Sequence, residues 1–240
     1  MVDGNVWSQL VSYYSTNGGY IFQLFLNHLL ISVYGVLFAV IIGIPIGIFI
    51  ARYSKLSGFV ISIANIIQTV PALALLAILM LVMGLGANTV VMTVFLYALL
   101  PIIKNTYTGI NNVDASIKDA GKGMGMTSKQ ILTMVELPLS LPVMIGGIRI
   151  AFVIAIGVTA IGSFIGSSTL GDIIIRGTNA TDGTSLILSG AIPTALLAVL
   201  SDLLLGYIEK KLDPTKRKQK GPQPQTLSEW LNWNLYLKLL

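Results

Sequence analysis

Five long apolar runs, at residues 21–50, 59–83, 89–107, 139–165 and 186–208, constrain this chain more than any other feature. Crossing roughly 30 Å of hydrocarbon as a helix takes about 20 mostly apolar residues, and each run has that length or nearly so. A barrel would instead show strands of about ten residues with alternating polarity. Composition points the same way: 54% of the 240 residues are hydrophobic and 10% charged, whereas about a quarter of an ordinary soluble domain is charged. A soluble enzyme, a nucleic-acid reader and a disordered chain are thereby excluded. The expected fold class is all-α, a polytopic membrane protein with about five transmembrane helices.

Lysine and arginine favour the cytoplasmic side of a membrane. With the N-terminus outside, thirteen of the fifteen basic residues fall inside. They sit at Arg52 and Lys55, at Lys104 near the inner end of the third run, on the segment between the third and fourth runs, and in the tail from Lys210 onward. Arg149 lies within the fourth run, and only Arg176 is left outside. This places residues 1–20 in an extracellular segment and residues 21–212 in the membrane domain. A loop at 109–137 and a tail at 213–240, basic and then apolar, are cytoplasmic. The beginning of the chain lacks a basic stretch followed by an apolar core, so the first span acts as its own insertion signal. The net charge of +5 is explained by topology, with membrane lipid and not nucleic acid as the expected contact.

Chemistry inside the chain is sparse. There is no cysteine and one histidine, His28, so no metal centre or thiol nucleophile is expected. His28 falls near the outer end of the first run, where an interfacial role is expected. Prolines recur within the runs at Pro45, Pro71, Pro101 and Pro193; each removes a helix hydrogen bond and can kink its helix. Small residues that let helices approach closely recur as Gly43-x-x-x-Gly47 and as Gly157, Gly162 and Gly166. Residues 167–185 read as a second polar loop.

The loop at 109–137 has local structure of its own. Ser116 is placed to cap a short helix with Asp119 as reciprocal partner, and Gly121, Gly123 and Gly125 end it. Thr127 and Gln130 form a capping box for a second helix to about Val135. Leu137-Pro138 breaks that helix before the membrane segment starts. The expected shape is two short helices in an L. Ile131, Leu132, Met134 and Val135 need cover from the loop's own fold or from a partner.

At these residues the chain resembles a known family. Asp119-Ala120-Gly121, three residues, Gly125, nine residues, then Val135-x-Leu137-Pro138 is similar to the signature of binding-protein-dependent ABC transporter permeases. There the pattern is Glu-Ala-Ala, three residues, Gly, nine residues, Ile-x-Leu-Pro. The spacing agrees at every step; Asp119, Gly121 and Val135 depart from the family residues. Gly121 in place of Ala costs about 1 kcal/mol of helix propensity and loosens the first helix. Further phrases, among them Gln68-Thr69-Val70-Pro71-Ala72 and Ser189-Gly190-Ala191-Ile192-Pro193, resemble the branch that handles compatible solutes such as glycine betaine, carnitine and choline.

The resemblance implies a type I importer permease moving osmoprotectants by alternating access. It implies two ABC ATPase subunits, a second permease copy or paralogue, and an extracellular or lipid-anchored solute-binding protein. In the family the loop sits in a groove of the ATPase, which assigns Asp119, Ala120, Gly121, Gly125, Val135, Leu137 and Pro138 to coupling. ATP and magnesium belong to the partner ATPase, and no cofactor is expected in this chain. Its Gly121-Lys122 is followed by Gly123 and lacks the hydroxyl residue of a nucleotide loop. A methionine or other amino-acid permease, a secondary transporter and a membrane enzyme are the competing readings; no catalytic constellation supports the last.

Two further expectations concern the spans. Asp202, about 12 Å inside Lys210 along a helix, pairs with Arg149 or Lys104, since charge within a membrane is usually paired or functional. Quaternary ammonium groups are held by aromatic faces, which makes Tyr97, Phe95 and Phe152 candidates for the solute pathway; packing against helices or lipid is the competing role for each.

Overall fold

Inside a bilayer, backbone N–H and C=O groups find no water, so each apolar run must satisfy them within its own helix. The computed structural model describes residues 5–213 and contains helices and no strand among them. The long elements are α1 (Val6–Arg52), α4 (Ala87–Asn111), α7 (Leu137–Ile161) and α9 (Thr184–Leu212). Each lies on a helical stretch long and apolar enough to span a membrane. The pair α2 (Ser54–Thr69) and α3 (Ala72–Met83) is long and apolar enough only when taken together, and it is bent by 95°, the geometry of a broken span or of a re-entrant loop. The expected tail beyond residue 213 lies outside the described residues.

Pro71 causes the bend. It lacks an N–H and drives the residue before it out of the helical region; Val70 is extended, with φ −69° and ψ 127°. The carbonyls freed at such a break need donors. α4 supplies one, because the Tyr97 hydroxyl donates to the Val70 carbonyl. In return the Gln68 side-chain amide donates to the Tyr97 carbonyl at 2.7 Å. Pro45, Pro101 and Pro193 lie inside α1, α4 and α9 without ending them.

α4 is the central helix, and α1 and α7 pack along it. Close approach to α1 depends on missing side chains. A Cβ on Gly47 would stand 2.5 Å from Thr106, and one on Gly43 would stand 3.0 Å from Ile102. On the α7 side, a Cβ on Gly147 would stand 2.6 Å from Asn105. Of the expected series in the fourth span, Gly162 packs tightly on Val90, whereas Gly157 and Gly166 face open space. Val90, Val94, Ala98 and Ile102 of α4 form the core with Ala39 of α1 and Ala151 and Ala155 of α7.

Three expectations need correction. First, helix does not begin near residue 21: α1 runs for 47 residues from Val6, as two helical stretches joined across a kink at Asn17. Asn17 is its single non-helical position, and its side chain donates to the Tyr13 carbonyl. Second, residues 167–185 are not simply a polar loop: α8 (Gly171–Thr178) forms within them. Leu170 and Ile173 there are fully buried against Ile21 and Leu24 of α1. Third, His28 is fully buried rather than interfacial. Its Nε2 lies 3.0 Å from the Ile156 carbonyl of α7. A carbonyl can only accept, so that nitrogen carries the proton. Beside it, the Ser32 and Thr159 hydroxyls meet at 3.0 Å.

Candidate functional site

The loop between α4 and α7 begins with a cap. Asp114, not Ser116, is the N-cap of α5 (Ala115–Gly123): its Oδ1 accepts the Ser116 N–H at 2.9 Å. That hydrogen bond holds the exposed Asp114 carboxyl below the usual carboxylate range. Asp119 pairs instead with Lys122 one turn on, Nζ to Oδ1 at 2.9 Å, with both side chains exposed.

Gly125 ends α5 through its conformation. Its φ of +80° is in the left-handed region, which glycine enters without penalty. The Gly125 N–H donates to the Lys122 carbonyl, and the Met126 N–H reaches back to the Gly121 carbonyl. That pair of bonds is a Schellman turn. Gly121 is the buried residue of α5, and a Cβ there would meet Met126 Sδ at 3.3 Å and Ile131 at 3.5 Å. The expected loosening by Gly121 is therefore offset by close packing of α5 on the segment that follows. Asp119 and Ala120 remain exposed, as do Ile117, Met124 and Met134. The result is a short helix that displays charge and apolar surface together.

Beyond the turn, the Thr127 and Gln130 capping box forms as expected. The helix it starts, α6 (Ser128–Ile131), does not stop at Leu137-Pro138. It passes through a π-helical turn (Leu132–Glu136) directly into α7. The Leu137 N–H donates to the Leu132 carbonyl, five residues back. In an α-helix the Pro138 ring would clash with the carbonyl four residues before it; the wider turn takes the ring up without a break. The expected L of two separate helices is corrected accordingly: its second limb is the end of a membrane helix. Val135, Leu137 and Pro138 sit half-buried at this junction, and Ile131 is buried.

Glu136 is the residue that the spacing argument passed over. It is 3% exposed. Arg52, the last residue of α1, donates to its Oε2 at 2.6 Å, and Lys118 of α5 lies 3.8 Å from its Oε1. Arg52 also reaches the Ser128 carbonyl, and Lys118 the Ile110 carbonyl at the end of α4. A lone acidic residue before Leu-Pro was the only signal available in the sequence.

Within the spans, Arg149 of α7 and Asp202 of α9 form a two-pronged ion pair, with Nη2 2.6 Å from Oδ2. Lys104 is exposed and is not the partner of Asp202. Glu209, unforeseen, joins Arg149 at 3.5 Å. The three line an open cleft of about 580 Å³ with Asn105, Pro142 and Gly146. The aromatic candidates are not gathered in one place. Tyr97 is buried in the core with its hydroxyl committed to the α2–α3 break. Phe152 packs half-buried on the same core. Phe95 lines a separate apolar groove with Phe38 and Met92.

At the end of the molecule remote from α5, Tyr20 of α1 donates to Asp172 of α8 at 2.6 Å. Arg176 holds both, bonding Asp172 at 2.8 Å and lying over the Tyr20 ring at 5.4 Å. This cluster pins the first part of α1 to α8.

Comparison with known proteins places this architecture. Residues 43–214 match the family described as "Binding-protein-dependent transport system inner membrane component". The chain is 62% identical over 214 residues to the "Glycine betaine/carnitine/choline transport system permease protein OpuCD" of Bacillus subtilis, a match covering 89% of this chain and 93% of that one. It is 62% identical over 212 residues to the "Carnitine transport permease protein OpuCD" of Listeria monocytogenes, covering 88% and 95%. The "Choline transport system permease protein OpuBD" of Bacillus subtilis is 57% identical over 90% of this chain and 96% of its own. Among solved structures, an inward-facing form of the MetNI methionine ABC transporter superposes with a TM-score of 0.74 at 19% identity, covering 82% of this chain and 98% of that one. An amino acid ABC transporter with histidines gives 0.62 at 20% identity, covering 79% and 94%. At such identities these two speak for the fold alone. With a family match across most of its length and relatives aligned nearly end to end, the chain belongs to the inner membrane components of binding-protein-dependent transport systems, the permeases of ABC importers.

Proposed function

We propose that this chain is the membrane pathway of an ATP-driven importer for quaternary ammonium compatible solutes, of the glycine betaine, carnitine and choline class. One observation carries the substrate class: 62% identity with a permease named for those three solutes extends over 89% of the chain. The chain itself performs no chemistry. ATP and magnesium are bound by partner ATPases, two per transporter, and a solute-binding protein delivers cargo to the outer face. A second permease copy or a paralogue completes the pathway, since five spans enclose little alone and a two-fold pair is the economical closure.

The coupling element in this reading is α5. Its exposed Asp119 and Ala120, with Ile117, Met124 and Met134 nearby, offer a groove on the ATPase both charge and apolar contact. Gly125, Val135, Leu137 and Pro138 shape the backbone that carries it. Closure of the ATPases around nucleotide moves α5, the membrane helices follow, and the pathway turns outward; hydrolysis resets it. The distribution of lysine and arginine supports a bacterial plasma-membrane protein with its N-terminus outside and α5 in the cytoplasm.

Uptake tests the proposal. In membranes holding the chain with its ATPase and binding protein, labelled carnitine enters and is displaced by glycine betaine and choline, not by methionine. ATP depletion stops entry, and collapse of the proton gradient at constant ATP does not. Displacement by methionine alone would move the chain to an amino-acid branch; sensitivity to the gradient would make it a secondary carrier.

A further inference from the structure

We propose that Glu136 is a positioning residue that ties α5 to α1 and α7, so that motion imposed on α5 reaches the membrane helices undiminished. The proposal rests on the reading that α5 receives the ATPase's motion.

The geometry is that of a three-way tie. Glu136 closes the π turn at the head of α7, so its carboxylate is fixed to that helix. Arg52 brings in the last turn of α1, and Lys118 brings in α5. Lys118 Nζ also donates to the Ile110 carbonyl at 3.1 Å, adding the end of α4. Three elements therefore meet at one acidic side chain that is 5% exposed, and Lys118 links the end of α4 to them. Other attachments of α5 are few. Gly121 alone of its residues is buried, against Met126 and Ile131. Those contacts join α5 to its own continuation; they do not reach α1. The Glu136 ion pairs do.

Burial makes this tie stiff. A carboxylate removed from water holds its cations more tightly than a surface pair does, and removal of one partner leaves the other uncompensated. Packed apolar surfaces can slide, whereas a charge-assisted bond of 2.6 Å fixes Arg52 of α1 to the head of α7, and the ion pair at 3.8 Å holds Lys118 of α5 to the same carboxylate. The π turn serves the same end. It carries the helix past Pro138 without a hinge, so a push on α5 that reaches Glu136 enters α7 along a continuous rod. A break at Leu137-Pro138 would have absorbed it.

The test uses the complete transporter, reconstituted with its ATPase and binding protein, and reads solute moved per ATP hydrolysed. Glu136→Gln keeps the shape and hydrogen-bonding capacity of the side chain while removing its charge. The expected result is an intact complex that still hydrolyses ATP, with the transport ratio lowered about tenfold, a size ordinary for coupling between sites. Lys118→Gln, which removes the α5 arm and its bond to the Ile110 carbonyl but leaves Arg52 on Glu136, lowers the ratio without loss of thermal stability. Arg52→Gln added to Glu136→Gln lowers the ratio no further. An unchanged ratio in both Glu136→Gln and Lys118→Gln overturns the proposal. So does a parallel fall of hydrolysis and transport in Lys118→Gln, which would mark the cluster as scaffold only. The underlying reading fails differently: deletion of residues 116–126 would then leave the ATPase bound and transport intact, whatever happens at Glu136.

Discussion

Gly125 and Gly121 share one loop, yet they are glycine for different reasons. Gly125 sits at φ +80° with open space around it; its constraint is conformational. Gly121 has ordinary helical geometry, and a methyl there would meet Met126 Sδ at 3.3 Å, the far part of a flexible chain that can give way. Alanine at Gly125 incurs the left-handed penalty of about 1–2 kcal/mol, which shifts the ordered turn by a factor of roughly 5 to 30. Gly125→Ala should therefore expose the loop to proteolysis and reduce uptake, while Gly121→Ala, gaining helix propensity, keeps both near normal. Limited proteolysis alongside uptake checks the pair; equal damage at the two positions would refute the distinction. The glycine turn and the Thr127 cap were legible because both are written in a few consecutive residues. Glu136 was not, because its meaning depends on Arg52 and Lys118, which only the folded chain brings to it. The Arg149 and Asp202 pair lay between these cases. Rarity of charge in the spans marked both residues, but only the structure chose Arg149 over Lys104 and added Glu209.

Among elements, apolar length located the four long helices and the bent α2–α3 pair, since a bilayer imposes length directly. It misjudged what happens at their ends. α1 extends to Val6 because Tyr13 and Tyr14 pack with the buried Leu170 and Ile173 near α8, a tertiary reward that the polar run before residue 21 does not reveal. The π turn before Pro138 was missed because sequence rules for proline assume α-helical geometry. The pairing of α1 with α4, by contrast, was foreshadowed by Gly43-x-x-x-Gly47. That seam gives an element-level prediction. A methyl at Gly47 would stand 2.5 Å from Thr106 and 3.0 Å from the Ile103 carbonyl, so α1 must move off α4. Overpacking of this kind costs about 1–3 kcal/mol. Gly58 of α2 has nothing within 4 Å, so the same substitution there meets no obstacle. Thermal melting of the purified complex should show Gly47→Ala less stable than the parent and Gly58→Ala indistinguishable from it. A Gly47→Ala protein with an unchanged midpoint would mean that the α1–α4 seam is looser than its geometry.

For the whole molecule, two charged ends bracket an apolar belt. One end holds Arg52, Lys118 and Glu136; the other holds Tyr20, Asp172 and Arg176. Between them, large side chains such as Phe38, Ile41, Phe59, Ile66, Leu200 and Leu203 are exposed, which is tolerable only against lipid or another membrane chain. Arg149, Asp202 and Glu209 interrupt the belt while each side chain is about a third exposed. Charges so placed need water or protein beside them, and the open cleft that the three line with Asn105 of α4 gives them access to it. The proposed cytoplasmic end rests on the distribution of lysine and arginine, and the absence of cysteine makes its test clean, because any introduced thiol is the sole one in the chain. Lys129 beside α5 and Asn179 beside α8 are both exposed, so a cysteine at either position is open to a reagent. In intact cells a membrane-impermeant maleimide should label Asn179→Cys and leave Lys129→Cys unmarked; permeabilisation should make the second reactive. The reverse pattern would put α5 outside the cell, beyond the reach of any ATPase, and the coupling role of Asp119 to Gly125 would fall with it.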